Sequence, residues 1–119
     1  MKLSFSIIKK TLESINPEFR KPQIRRNSDW GFLSKKMIQK AGNKCVLCGK
    51  SSNLTTHHIV PVHINKDLEM DESNLIVLCE NLTHNCHFIF GHLLNWKSYN
   101  INVRDDAAIW NLKIRDRLS

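Results

Sequence analysis

No apolar run in this 119-residue chain approaches the roughly 20 residues that a membrane-spanning helix needs, so no helical span is present and a membrane partner is not expected. Internal repeats and low-complexity tracts are missing too, and with them solenoid and array architectures. A secretory leader is not expected: Leu3, Phe5, Ile7 and Ile8 begin an apolar run, but Lys9 and Lys10 end it early and no small-residue cleavage site follows. Acidic residues are scarce at the start. Residues 1–44 hold three acids against eleven Lys or Arg, a net of +8, whereas residues 45–92 carry a net of −3 and residues 93–119 a net of +2. The overall charge of +7 is thus concentrated ahead of the middle segment. Such a flank suits a polyanionic partner, whose counterions it would release without reading sequence; the competing reading is a solvated face that serves solubility.

Cysteine is also scarce, and its placement is informative. The only four, Cys45, Cys48, Cys79 and Cys86, fall within 42 residues of one another. Cys45-Val46-Leu47-Cys48-Gly49-Lys50 has knuckle spacing: two thiolates leave a tight turn and Gly49 lets the backbone fold under a metal. Cys79 and Cys86 are separated by a longer loop, Glu80 to Asn85, that would hang outside the metal. Structural Zn²⁺ on four sulfurs is the simplest use of this set in a reducing cytoplasm, the compartment expected here, and disulfides are the competing reading. A chain of this size is one domain with a modest core, so zinc would supply much of its stability.

Between the cysteine pairs lies Leu54-Thr55-Thr56-His57-His58-Ile59-Val60-Pro61-Val62, whose β-branched residues and proline suggest a short strand. Neighbours on a strand point to opposite faces, so His57 and His58 can serve different purposes. Asn74-Leu75-Ile76-Val77-Leu78-Cys79 reads as a second strand, joined to the first by the polar stretch Asn65 to Ser73. Thr83 then offers an N-cap for a helix from about His84 to Trp96, on which Cys86 and His87 are about 100° apart.

This ordered series resembles the HNH endonuclease family, the His-Me finger or ββα-metal nucleases in their zinc-stapled form, over about Trp30 to Trp96. The resemblance implies that His58 is the general base, that His57 and His87 hold a catalytic metal, and that Asn74 hydrogen-bonds across the long loop to steady the strand bearing the base. Family members usually have two residues where this chain has the Glu80–Asn85 loop, which makes His84 an alternative ligand. Some relatives carry a further metal histidine four residues after the last motif histidine; here Gly91 occupies that place. His92 is one step further on, swung about 140° from His87 on an α-helix, and is expected to pack on the helix or contact phosphate, with metal ligation as the less favoured reading. His63 is expected to face solvent or a loop.

The chemistry accounts for the residue types. A neutral imidazole can take a proton from water near neutral pH, and a single divalent ion can relieve charge on the phosphate and the departing oxygen. Imidazole ligands suit Zn²⁺, Mn²⁺, Ni²⁺ or Co²⁺, or a loosely held Mg²⁺. The expected protein is therefore α+β: a ββα-metal core with a four-cysteine structural zinc site and flanking helices, hydrolysing phosphodiesters in DNA, most readily duplex. A non-catalytic zinc-stabilised DNA-binding module and an RNA-directed nuclease are the alternatives.

The remaining segments read as scaffold and substrate grip. Residues 1–27 form a basic arm interrupted by Pro17 and Pro22, and residues 28–119 the nuclease domain with its core at about 30–96. Arg20, Lys21, Arg25, Arg26, Lys35 and Lys36 are the candidate DNA contacts. Ser28 is expected to cap a helix from about Asp29 to Ala41, with Trp30, Leu33, Met37 and Ala41 on one stripe and Gly42 past its end. A last helix at about 103–118 places Ala107, Trp110, Ile114 and Leu118 at helical spacing, a stripe that should face the core.

Overall fold

The five consecutive residues Leu75-Ile76-Val77-Leu78-Cys79 form strand β2 (Leu75–Cys79), and all five are buried. A strand buried on both faces reads as a continuous apolar run rather than an alternation. In the computed structural model, which describes residues 26–118 with the side chains of 116–118 left aside, β2 pairs antiparallel with β1 (Leu54–His58). The register sets Leu54 opposite Cys79, His57 opposite Ile76 and His58 opposite Leu75. Arg20, Lys21 and Arg25, expected as DNA contacts, and the arm containing Pro17 and Pro22 lie outside the described residues.

Helix α1 (Trp30–Lys40) precedes the sheet and covers the expected span to within a residue at either end. Its start differs in chemistry from the expectation. Asn27, not Ser28, organises the entry: its Oδ1 accepts from Asp29 N at 2.9 Å and its carbonyl from Trp30 N at 3.0 Å. The end is a Schellman motif, with Gly42 at φ 71°, Gly42 N donating to Gln39 O and Asn43 N to Ile38 O. Leu33 is the buried residue of the stripe, and Ser34 Oγ donates to Thr56 Oγ1 at 3.0 Å, which lays α1 against β1.

Between the strands, Asn65 to Ser73 is not featureless: it contains 3₁₀ turns at Lys66–Leu68 and Glu72–Asn74, capped by Asn65 and Asp71. After β2 the helix expected over His84 to Trp96 is much shorter. It is a π-helical turn, His87–Gly91, entered through Cys86 and capped by Asn85, whose Oδ1 accepts from Phe88 N at 2.9 Å; Thr83 is not the cap. Leu93 and Leu94, at φ 54° and 66°, then break the spiral. Two consecutive leucines in the left-handed region are costly for residues with a side chain, and the turn that they make carries Trp96 back over the site.

Helix α2 (Val103–Leu118) closes the domain. Val103 and Ala107 are wholly buried in one core with Leu47, Ile59, Ile76 and Leu78, and Ile114 packs against it; Leu118 lies among the side chains left aside. Trp110 departs from the expected stripe, being 43% exposed under the ammonium of Lys113 while its ring still meets Phe90. Arg104 Nη2 donates to the carbonyls of Ser73 and Leu75, and Asn111 Nδ2 to Leu47 O, so α2 is tied to the start of β2 and to the knuckle. Because Leu78 is completely enclosed, Leu78→Ala should cost about 2–5 kcal/mol, read as a lower urea midpoint at unchanged slope in zinc-containing buffer.

Candidate active site

Two clusters of metal-binding side chains stand out among the described residues. The first gathers Cys45, Cys48, Cys79 and Cys86 with their sulfurs within 4.8 Å of one another. The knuckle supplies two: Cys45 N donates to Lys50 O at 2.8 Å, Gly49 N to Cys45 O at 2.9 Å, and Gly49 takes φ 80°, as the tight turn requires. The end of β2 brings Cys79, and the entry to the π-helical turn brings Cys86. Cys48 Sγ lies 3.7 Å from Cys79 Sγ, close to the roughly 3.8 Å edge of a tetrahedron with zinc–sulfur arms of about 2.3 Å. The protons tell the same story. Cys45 is pulled down to about 4, chiefly by a hydrogen bond from the Cys86 thiol, while Cys86 is pushed strongly upward by that same bond and by burial. Burial first, and the neighbouring thiolate after it, raise Cys48 to about 12. Four thiols so crowded cannot all ionise without a cation among them, so the donor set fits zinc.

The second cluster is His57, His87 and His92, again with ligand atoms within 4.8 Å of one another. His92 belongs to it because of the π-helical turn. An α-helix would rotate His92 about 140° away from His87; here His92 N donates to His87 O, five residues back, at 3.1 Å, and the widened turn returns His92 to the side of His87. Their Nε2 atoms are 3.2 Å apart. His87 Nδ1 faces Glu80 Oε1 at 2.9 Å and His92 Nδ1 faces Ser98 O at 2.8 Å. Both partners are acceptors, so each Nδ1 donates a proton, and when both rings are neutral the two Nε2 lone pairs point at each other. That arrangement is repulsive alone and favourable around a cation, and 3.2 Å is near the roughly 3.3 Å edge of a tetrahedron with arms of about 2.0–2.1 Å. His57 completes the group, with ring centroids 4.8 and 4.9 Å from His87 and His92. Gly91 makes its position possible, since a Cβ there would lie 3.2 Å from His57 Cε1 and Nε2. Trp96 covers the cluster, 4.8 Å from His92 and 5.2 Å from His87 between centroids.

His58, one residue on along β1, is held differently. Its Nε2 donates to Glu69 O at 2.9 Å, which leaves Nδ1 as the basic nitrogen. The Trp30 indole stacks on the ring at 4.4 Å, and burial, reinforced by the charge of Arg26, holds its pKa below the usual imidazole value. Asn74 grips the chain beyond it: Oδ1 accepts from Val60 N at 2.8 Å, Nδ2 donates to Val60 O and Leu68 O, and the Asn74 carbonyl accepts from Ile59 N. Arg26, Trp30, His57, His58, His63, His87 and His92 line a single cleft.

Other candidates fall elsewhere. His84 is not with the histidines; its Nε2 lies 3.7 Å from Cys86 Sγ. Lys35 is exposed on α1, whereas Lys36 and Lys40 share Glu72, at 3.1 and 2.8 Å. Such exposed pairs are screened by solvent and exchange readily for phosphate. Sequence reasoning missed Glu69, Glu80 and the Trp30 stack. Each acts across the fold on a histidine, and no local spacing announces it.

Residues 45–88, well under half of the chain, match the family model described as HNH endonuclease. The matched segment, which lies in a small α+β domain, is thus similar to the HNH endonuclease family, and the chemistry which that family represents is that of a nuclease. No curated protein and no solved structure matches the chain significantly. Cys48→Ser should lower the bound zinc and the melting temperature together; metal analysis and calorimetry on the same preparation check this. Gly91→Ala should leave zinc content unchanged but displace the His57 ring, weakening binding of a second divalent ion in a titration.

Proposed function

We propose that the chain is a divalent-metal-dependent DNA endonuclease in which His58 is the general base, His57, His87 and His92 hold one catalytic ion, and the four cysteines hold a structural zinc. The observation that carries the proposal is that an imidazole with a basic Nδ1 and a three-histidine metal set open into one cleft. Three imidazoles favour Zn²⁺, Mn²⁺, Ni²⁺ or Co²⁺ over Mg²⁺, which prefers oxygen. When bound, such an ion supplies Lewis-acid stabilisation of charge on the scissile phosphate and the departing oxygen.

The side chains do the rest. The Glu69 carbonyl fixes the His58 tautomer, Trp30 fixes its plane, and burial keeps the ring uncharged and ready to accept a proton from the attacking water. Asn74 holds the end of β1 against the loop, so the base keeps its distance from the phosphate. Arg26 lines the cleft beside Trp30 and, with Lys35 and Lys36 on α1, offers positive charge to the flanking phosphates. A reducing cytoplasm would keep the cysteines available for zinc. These groups grip phosphate rather than base edges, which supports weak sequence preference.

Cleavage of supercoiled plasmid by the wild type and His58→Ala, with Mg²⁺, Mn²⁺, Ni²⁺, Co²⁺ or Zn²⁺ added separately, tests the assignment. The variant should lose about 10²–10⁴-fold in rate with fold and DNA affinity retained. Cutting at the wild-type rate would remove His58 from the mechanism, and faster cleavage of RNA than of duplex DNA would reassign the substrate.

A further inference from the structure

The loop between Cys79 and Cys86 is where this chain parts from the usual family spacing, and the three-histidine set takes its outer support from the first residue of that loop. Glu80 continues β2 for one further step: its N donates to Asn53 O at 2.8 Å, as if the ladder went on. The chain then doubles back, with Asn81 N on His84 O at 3.2 Å and the Asn81 side chain held by Ser52 and Asn53. The result aims the Glu80 carboxylate inward. Its side chain is only 16% exposed, and Oε1 meets His87 Nδ1 at 2.9 Å, on the side of the ring away from His57 and His92.

A carboxylate on the far nitrogen of a metal-binding imidazole does two things. It fixes the tautomer so that Nε2 presents its lone pair to the ion, and it makes that nitrogen a stronger donor; groups in this position are commonly worth about 10–100-fold in metal affinity. The outer partners of His87 and His92 differ in kind. His92 Nδ1 meets the Ser98 carbonyl, a neutral acceptor. His87 Nδ1 meets a carboxylate.

We infer that Glu80 is a positioning residue of the proposed metal centre, holding His87 in the tautomer that presents Nε2 to the ion. It does so from a loop whose two ends are anchored in the four-sulfur cluster. Glu80 follows Cys79 directly and His87 follows Cys86 directly, so zinc on the sulfurs sets the separation of the carboxylate and the imidazole. The inference rests on the proposed three-histidine metal site, and it adds that the long Cys79–Cys86 loop is a working part of that site rather than an excursion from it.

The test is calorimetric titration of Ni²⁺ into protein already holding one zinc per chain, for the wild type, Glu80→Gln, Glu80→Asp and Glu80→Ala. Gln keeps an acceptor for the Nδ1 proton but no charge, Asp keeps the charge at a shorter reach, and Ala keeps neither. Glu80→Ala should raise the Kd about 10–100-fold, with Gln and Asp between it and the wild type, while zinc content and melting temperature before nickel addition stay unchanged. A wild-type Kd in Glu80→Ala would overturn the positioning role, as would loss of zinc from that variant, which would make Glu80 a structural residue of the loop. If the wild type takes up no nickel beyond its zinc, the three-histidine site itself fails and Glu80 has nothing to position. Binding is read here without cleavage, so a protein that binds nickel in this graded order but cuts nothing would leave the inference standing and overturn only the nuclease assignment.

Discussion

Four sulfurs within 4.8 Å of one another, at the end of the sheet, are the constraint from which the rest of the domain takes its positions. They join the knuckle before β1, the last residue of β2 and the residue that enters the π-helical turn. Their protons are in conflict: Cys45 gives its proton up easily while Cys48 and Cys86 hold theirs tightly. A cation resolves the conflict by letting all four ionise together. In a chain this short the buried apolar surface is modest, and a metal held by these sulfurs would cross-link segments far apart in sequence and contribute what a larger core would otherwise supply.

From that anchor the second cluster follows. Cys86 sets the start of the π-helical turn, and the turn sets His87 and His92. β1 contributes the other half: His57 faces the histidine cluster, and His58, on the opposite side of the strand, is turned toward Glu69 and Trp30. The side-chain alternation of one short strand thus separates His57, in the three-histidine cluster, from His58, beside Glu69 and Trp30, while both border the same cleft. Asn74 keeps the strand end from drifting by answering both hydrogen-bonding groups of Val60.

The charge pattern complements this geometry. The middle segment is net negative, and the positive residues precede it. Arg26 and Lys35 place part of that charge at the cleft and on the adjoining helix, with Lys36 held loosely by Glu72.

Much of this was legible in the order of residues alone. Cys45-x-x-Cys48 followed by Gly49, adjacent histidines before a proline, and an asparagine opening an apolar strand each report a local requirement: a tight turn, two opposed faces, a buried strand. Local requirements are written in local sequence: β2, α1 and α2 came out close to their expected spans, while β1 stops at His58, short of Val62. What only the tertiary structure decided are the features that depend on distant groups or on one hydrogen bond more or less. Reading His87 to His92 with α-helical geometry sent His92 away from His87; a π-helical turn brought it back, because the entry at Cys86, tied to the other sulfurs, and the left-handed break at Leu93 and Leu94 make a five-residue closure fit where a four-residue one would not. Glu80, Glu69 and Trp30 likewise gained their partners only when β2, the long loop and α1 converged on the histidines of β1 and of the π-helical turn. Spacing along the chain determined which residues can bind metal or take a proton, and packing determined which of them share a centre, since ligation is a matter of distances that no single segment controls.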